Sequence, residues 1–133
     1  MKTTDLHKLA CEGQKCAYAP YSGFQIGAAV RLSNQSVASG GNIENASYGG
    51  TVCAERVAIW KALHENPGAV IEEIVVVSDA AEAWPPCGLC RQVIAEFASP
   101  QTVVHVGNLQ GLQKSFSFQE LLPYAFTPAF LKK

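Results

Sequence analysis

The sequence predicts an α/β fold, one mixed sheet sandwiched between helices. Three observations predict it. Phe24, Ile26, Ala28, Val30 and Leu32 alternate with Gln25, Gly27, Ala29, Arg31 and Ser33, the period of a strand with two different faces. Ile74-Val75-Val76-Val77 is a continuous β-branched run, as in a strand covered on both sides. Segments with helical spacing lie between these runs and a further strand at 102–106, so helices and strands alternate along the chain.

Residues 3–17 read as the first helix. Thr3 or Thr4 can cap it, and Asp5 suits its positive end. Leu6, Leu9, Ala10, Gly13, Cys16 and Ala17 share one face, and Pro20 ends the segment. Cys11 and Cys16 are read as ordinary small residues. The strand at 24–33 turns at Ser33-Asn34-Gln35-Ser36 and returns over 37–41, giving a hairpin. Gly40-Gly41-Asn42-Ile43-Glu44-Asn45 leaves the sheet as a dense polar loop. Turn chemistry and ligand binding both account for it.

A helix is predicted from about Cys53 to Glu65. Ala54, Val57, Ala58, Ile59, Trp60, Ala62 and Leu63 cover most of its circumference, so it is expected to be buried, and Asn66-Pro67-Gly68 stops it. After the strand at 74–77, Trp84-Pro85-Pro86 forms a rigid approach to a helix over 88–97. A strand at 102–106 and a turn with a last strand within 107–115 follow. Ser117 with Glu120 is a capping-box pair for a short helix, 118–122. The tail carries Tyr124, Phe126 and Phe130 between prolines.

The 133 residues suit a single domain, 1–133, with a substantial core. A net charge of -1, with no Lys/Arg run longer than Lys132-Lys133, argues against a nucleic-acid footprint, which needs a basic face. No apolar run reaches the ~20 residues of a membrane span, and no signal peptide is evident. Five cysteines are an odd number and do not read as a secreted disulfide framework, so the expected location is cytoplasmic.

The chemistry gathers in Cys53-Ala54-Glu55-Arg56 and Pro86-Cys87-Gly88-Leu89-Cys90. Cys87 and Cys90 stand at i and i+3 on a helix's first turn and can bite one ion; Cys53 supplies a third thiol from another helix start. Helix N-termini and a cation both favour thiolate. Three thiolates without a fourth protein ligand suit catalytic zinc, with one position left for water. His7, His64 and His105 lack ligand spacing and read as surface or core. Glu55 is the candidate proton carrier. Cys53 and Glu55 lie about 200° apart on a helix, so both reach one site only if Cys53 is the cap. Arg56 can offset thiolate charge by donating to sulfur. A redox C-x-x-C has no use for Cys53 or Glu55. A zinc ribbon wants a second Cys pair.

At these residues the chain closely resembles the small homotetrameric cytidine deaminases. The likeness runs through Tyr21-Ser22-Gly23-Phe24, residues 41–48 (Gly-Asn-Ile-Glu-Asn-Ala-Ser-Tyr), Cys53-Ala54-Glu55-Arg56, residues 86–92 (Pro-Cys-Gly-Leu-Cys-Arg-Gln) and Glu120-Leu121-Leu122-Pro123. It implies a three-layer α/β/α sandwich and one Zn²⁺ per subunit on Cys53, Cys87 and Cys90. Glu55 is then the catalytic residue, moving protons from metal-bound water to the base and on to departing ammonia. Phe24 packs near the pyrimidine, the Ala54 backbone contacts it, and Asn42 and Glu44 hold the ribose. Tyr48 and Phe126 resemble residues that complete a neighbouring subunit's pocket, with Arg56 behind the thiolates. The implied reaction is hydrolytic deamination of cytidine and 2′-deoxycytidine in pyrimidine salvage.

Nucleic-acid-editing and deoxycytidylate deaminases generally resemble H-x-E where this chain has C-x-E. Blasticidin-type deaminases share the zinc cluster but lack the whole Asn-Ile-Glu-Asn run. A binding module without catalysis is the rival of another class, and Glu55 speaks against it. Thr127 stands where the family commonly has Gly, which puts the tail's path and Phe126 in question.

Overall fold

The computed structural model describes residues 1–132. Helix α1 (Thr3–Lys15) is followed by β1 (Ile26–Leu32), β2 (Val37–Gly41), α2 (Ala54–Glu65), β3 (Ile71–Ser78), α3 (Gly88–Phe97), β4 (Ala98–Asn108), β5 (Gly111–Ser117) and α4 (Phe118–Leu121). The five strands lie in the order β2-β1-β3-β4-β5. Among these strands of the described residues, β3 and β4 run parallel, joined across α3, and the other neighbouring pairs are antiparallel. The sheet is therefore mixed, as predicted.

Alternation along the strands divides the core in two. Ala28, Val30, Ile74, Val76, Val104 and Val106 face α2, α3 and α4, where Ala58, Ile59, Ile94 and Phe118 meet them. Ala29, Val75 and Val77 point the other way, onto Leu6 and Ala10 of α1. The result is the three-layer sandwich. Strand β3 is buried on both faces, as its β-branched run required.

Close packing seats α2 against β2. A Cβ at Gly40 would sit 2.8 Å from the Ala58 nitrogen and 2.9 Å from the Ala54 oxygen. Only glycine lets the first turn of α2, which carries the candidate site, approach so closely.

Several expectations shift at their edges. Lys2, not Thr3 or Thr4, occupies the cap of α1, and its backbone N–H donates to Asp5 Oδ2 at 3.2 Å. Cys16 and Ala17 fall beyond the helix, and Cys16 is exposed. Helix α2 is not apolar all round: Trp60 is half exposed, while Glu55 and Arg56 are buried. Strands β3 and β4 outrun their predicted cores, and the ambiguous stretch after 107 is β5. The α4 capping box forms as predicted, with Ser117 N–H donating to Glu120 at 3.0 Å. Thr127 has φ -116° and ψ 166°, extended backbone open to any residue. A side chain there leaves the tail unstrained.

Candidate metal centre and substrate cavity

Helices α2 and α3 begin at the same place, and each begins with a cysteine. Cys53 caps α2 with φ -75° and ψ 156°, and Cys87 caps α3 with φ -67° and ψ 168°. Both are non-helical, so the geometric condition on Cys53 and Glu55 is met. Cys90, a turn into α3, is fully buried beside them. The three sulfurs lie within 4.8 Å of one another, with Cys53 and Cys87 3.7 Å apart. Zinc–thiolate bonds of ~2.3 Å in a tetrahedron require sulfurs ~3.8 Å apart. The trio therefore fits Zn²⁺.

One thiol of the trio is drawn toward thiolate by its neighbours. Hydrogen bonding with Cys90, above all, draws Cys53 down to about 5 against its burial, and Arg56 adds to the effect. The same bond, followed by burial, pushes Cys90 far up. A divalent cation held by the trio would favour the thiolate form of Cys90 as well. Arg56 Nη2 donates to Cys53 Sγ at 3.5 Å, as the sequence suggested. Its guanidinium carbon lies 5.8 Å from the Trp60 ring centre, a cation–π contact that helps hold it in place.

Glu55 is 4% exposed, not the solvated first-turn carboxylate that the helix dipole alone would produce. Burial pushes its carboxyl up to about 7, assisted by negative charge at Cys53 and opposed by a backbone hydrogen bond. A group with that pKa gives and takes protons at neutral pH.

A cavity of about 300 Å³ opens over these groups. Cys53, Cys87, Glu55 and Ala54 lie on its lining, as do Phe24, Asn42 and Glu44. Seven of the sequence-predicted residues thus converge. Asn42 is clamped by the neighbouring backbone: its Oδ1 accepts from Ile26 N–H at 2.9 Å and its Nδ2 donates to the Phe24 carbonyl at 2.8 Å. One amide N–H and one oxygen lone pair stay free. Glu44 accepts from the Tyr21 and Ser22 N–H groups at 2.9 and 3.0 Å and from the Ser22 hydroxyl. The Ser22 hydroxyl, chiefly, holds its carboxyl below the usual range. The polar loop is therefore fastened to residues 20–26, and both side chains are oriented by their own fold.

Tyr48 and Phe126 do not join this group. Tyr48 is 76% exposed and meets Tyr21 edge to face. Phe126 stacks on Phe130 at 5.6 Å, and its carbonyl accepts from Gln92. Conversely, Ser22, Thr51 and Trp84 line the cavity without having been singled out for it. Trp84 had one sequence signal: an aromatic three residues before a candidate ligand, fixed by two prolines.

Among the described residues no helix is long and apolar enough to cross a membrane. The chain matches the family described as "Cytidine and deoxycytidylate deaminase zinc-binding region" over residues 1–106. A cytidine deaminase of Halalkalibacterium halodurans is 51% identical over 122 residues, 92% of each chain. The crystal structure of cytidine deaminase from Burkholderia pseudomallei is 41% identical, with TM-score 0.87 over 95% of this chain and 100% of that one. The enzyme from Mycobacterium tuberculosis is 33% identical, with TM-score 0.78 over 95% and 98%. Cysteine-capped helices whose sulfurs fit Zn²⁺ thus occur in a chain with these likenesses along nearly its whole length, and the chain belongs to the zinc-binding family of cytidine and deoxycytidylate deaminases.

Proposed function

We propose that this chain is a zinc-dependent hydrolase, a single catalytic domain that converts cytidine or 2′-deoxycytidine and water into uridine or 2′-deoxyuridine and ammonia. The observation that carries this reading is Glu55, buried beside three thiols at one cavity that also holds Asn42 and Glu44. The relatives named above share that activity in their names.

Cys53, Cys87 and Cys90 hold the Zn²⁺, which supplies the Lewis acidity that makes water ionisable near neutral pH. Glu55 accepts a proton from the attacking water and delivers it to N3 of the base. As the oxygen adds at C4, Glu55 carries the second proton to the amine, which leaves as ammonia. The Ala54 backbone contacts the base and Phe24 packs on it. Asn42, with its free N–H, and the anionic Glu44 bind the ribose hydroxyls. Arg56 offsets the negative charge that three thiolates add to the site.

The protein works in the cytoplasm in pyrimidine salvage, as a homotetramer with shared active sites. Tyr48 and Phe126 complete the pocket of a neighbouring subunit; their exposure and their place outside their own chain's cavity support this. A fully active monomer by light scattering would refute the shared pocket.

The test of the reaction is a panel of cytidine, deoxycytidine, their monophosphates, adenosine and blasticidin S with the zinc-loaded protein. The expected result is a shift to the uracil absorbance spectrum with ammonia release for the two nucleosides. Turnover of blasticidin S in their place reassigns the substrate, and cytidine binding without turnover makes the protein a binding module.

A further inference from the structure

The cavity has two chemically different walls. The start of α2 supplies the polar one, with Glu55 and the Ala54 backbone. The segment leading into α3 supplies an apolar one, Trp84 and Pro85. A pyrimidine with C4 at the thiols and N1 toward Asn42 and Glu44 also has two edges, polar N3–O2 and apolar C5–C6. With Glu55 at the polar edge, the hydrocarbon edge meets the apolar lining, to which Trp84 and Pro85 contribute beside Phe24, Ile26, Val52 and Val76.

That apolar wall is fastened at several points. Ala83 N–H donates to Gln113 Oε1 at 2.8 Å. The Ala81 carbonyl accepts from Asn108 Nδ2 at 3.0 Å and from Gln113 Nε2 at 2.9 Å. Arg91 Nε donates to the Pro86 carbonyl at 2.8 Å. Two consecutive prolines restrict the backbone between the tryptophan and Cys87. The indole meets Phe24 edge to face, with ring centres 4.9 Å apart and planes at 61°. An indole held this way does not yield readily to a larger substrate.

We propose that Trp84 is a specificity residue: its indole lies along the C5–C6 edge of the pyrimidine and sets the largest substituent accepted at C5. A wall that cannot move rejects an added methyl group, and pocket discrimination of one methylene is typically about 10–200-fold. This inference rests on the proposed cytidine chemistry and deepens it.

The experiment compares cytidine with 5-methylcytidine in wild type, Trp84→Phe and Trp84→Ala. Wild type is expected to prefer cytidine by about tenfold or more in kcat/KM. Trp84→Ala should shrink that ratio about tenfold, with Trp84→Phe between them. Zinc content and melting temperature verify folding, and Trp84→Val carries the test if the alanine variant does not fold. Calorimetric binding of uridine and 5-methyluridine measures the ground-state discrimination at C5 without turnover. An unchanged ratio in both assays, or equal losses for the two members of each pair, overturns the assignment. If wild type does not deaminate cytidine while the binding ratio still collapses in Trp84→Ala, the reaction is wrong and the wall remains.

Discussion

Two buried glutamates lie on opposite faces of the sheet, and their environments differ in kind. Glu55 is 4% exposed on the α2 and α3 side, and Glu73 is 8% exposed on the α1 side. Burial pushes Glu55 up to about 7. Burial acts upward on Glu73 as well, but hydrogen bonds from Thr3 and His105, with positive charge at His105 and Arg31, outweigh it and hold the carboxyl below its usual range. Thr3 Oγ1 donates to Glu73 Oε2 at 2.7 Å, His105 Nε2 meets the same oxygen at 2.7 Å, and Arg31 Nη2 reaches Oε1 at 3.4 Å. Depth alone does not decide what a buried carboxylate does. Glu73 is surrounded by donors from α1, β1 and β4, so it stays ionised and ties those elements together. Glu55 faces a cavity and thiols, and its proton is available.

Exchanging each carboxylate for its amide should separate the two roles. The largest effect is expected for Glu55→Gln: kcat/KM on cytidine falls by about 10²–10⁴ because the proton carrier is gone. Zinc content and melting temperature stay near wild type. A variant that keeps its turnover removes Glu55 from the chemistry, and one that loses zinc makes it a structural group like its counterpart.

How much of this contrast the sequence revealed depends on the range of the interactions. The metal trio was legible because its determinants are local: Cys87 and Cys90 share one helical turn, and a cap was the condition Cys53 had to meet. The strands followed from alternation and from the β-branched run of β3. The burial of Glu55 was not legible, since an isolated first-turn Glu reads as a dipole-favoured surface residue. Trp60 misled in the opposite sense; its side chain suited an apolar stripe, yet it is half exposed, with its ring 5.8 Å from the Arg56 guanidinium carbon. The Glu73 network left no local trace, because Thr3 and His105 are 70 and 32 residues away in sequence. Nothing in Ile71-Glu72-Glu73 says which glutamate turns inward. Trp84 lies in a segment without periodicity, where only the fold shows what a side chain faces.

Glu73→Gln should show the second-largest effect, and in stability instead of turnover. Losing charge-assisted bonds should cost about 1–3 kcal/mol in urea unfolding, with kcat/KM unchanged. The pH dependence has a definite sign. A carboxyl held lower in the folded state than its unfolded value of about 4.3 contributes stability that is fully present above that value. The contribution disappears as pH falls through the folded pKa. The part of the gap between wild type and Glu73→Gln that comes from the ionisation of Glu73 itself should thus be constant above about pH 5 and close on further acidification. A gap that persists to pH 3 would mean that shape, not charge, holds the network.

The smallest effect is expected at the outer end of that network. The exposed Ser115 hydroxyl lies 2.6 Å from His105 Nδ1, and His105 in turn contacts Glu73. The connectivity is that of a nucleophile, a base and an orienting acid, but connectivity does not make a catalyst. All three residues also carry a simpler role, a strap across β3, β4 and β5. Ser115→Ala removes one solvent-facing link of that strap and should cost ~1 kcal/mol or less in urea unfolding. Cytidine turnover should match wild type, since the change is on the face away from the thiols. A fall in turnover without a fall in stability would couple the two faces through the sheet, and the division of labour between Glu55 and Glu73 would no longer stand.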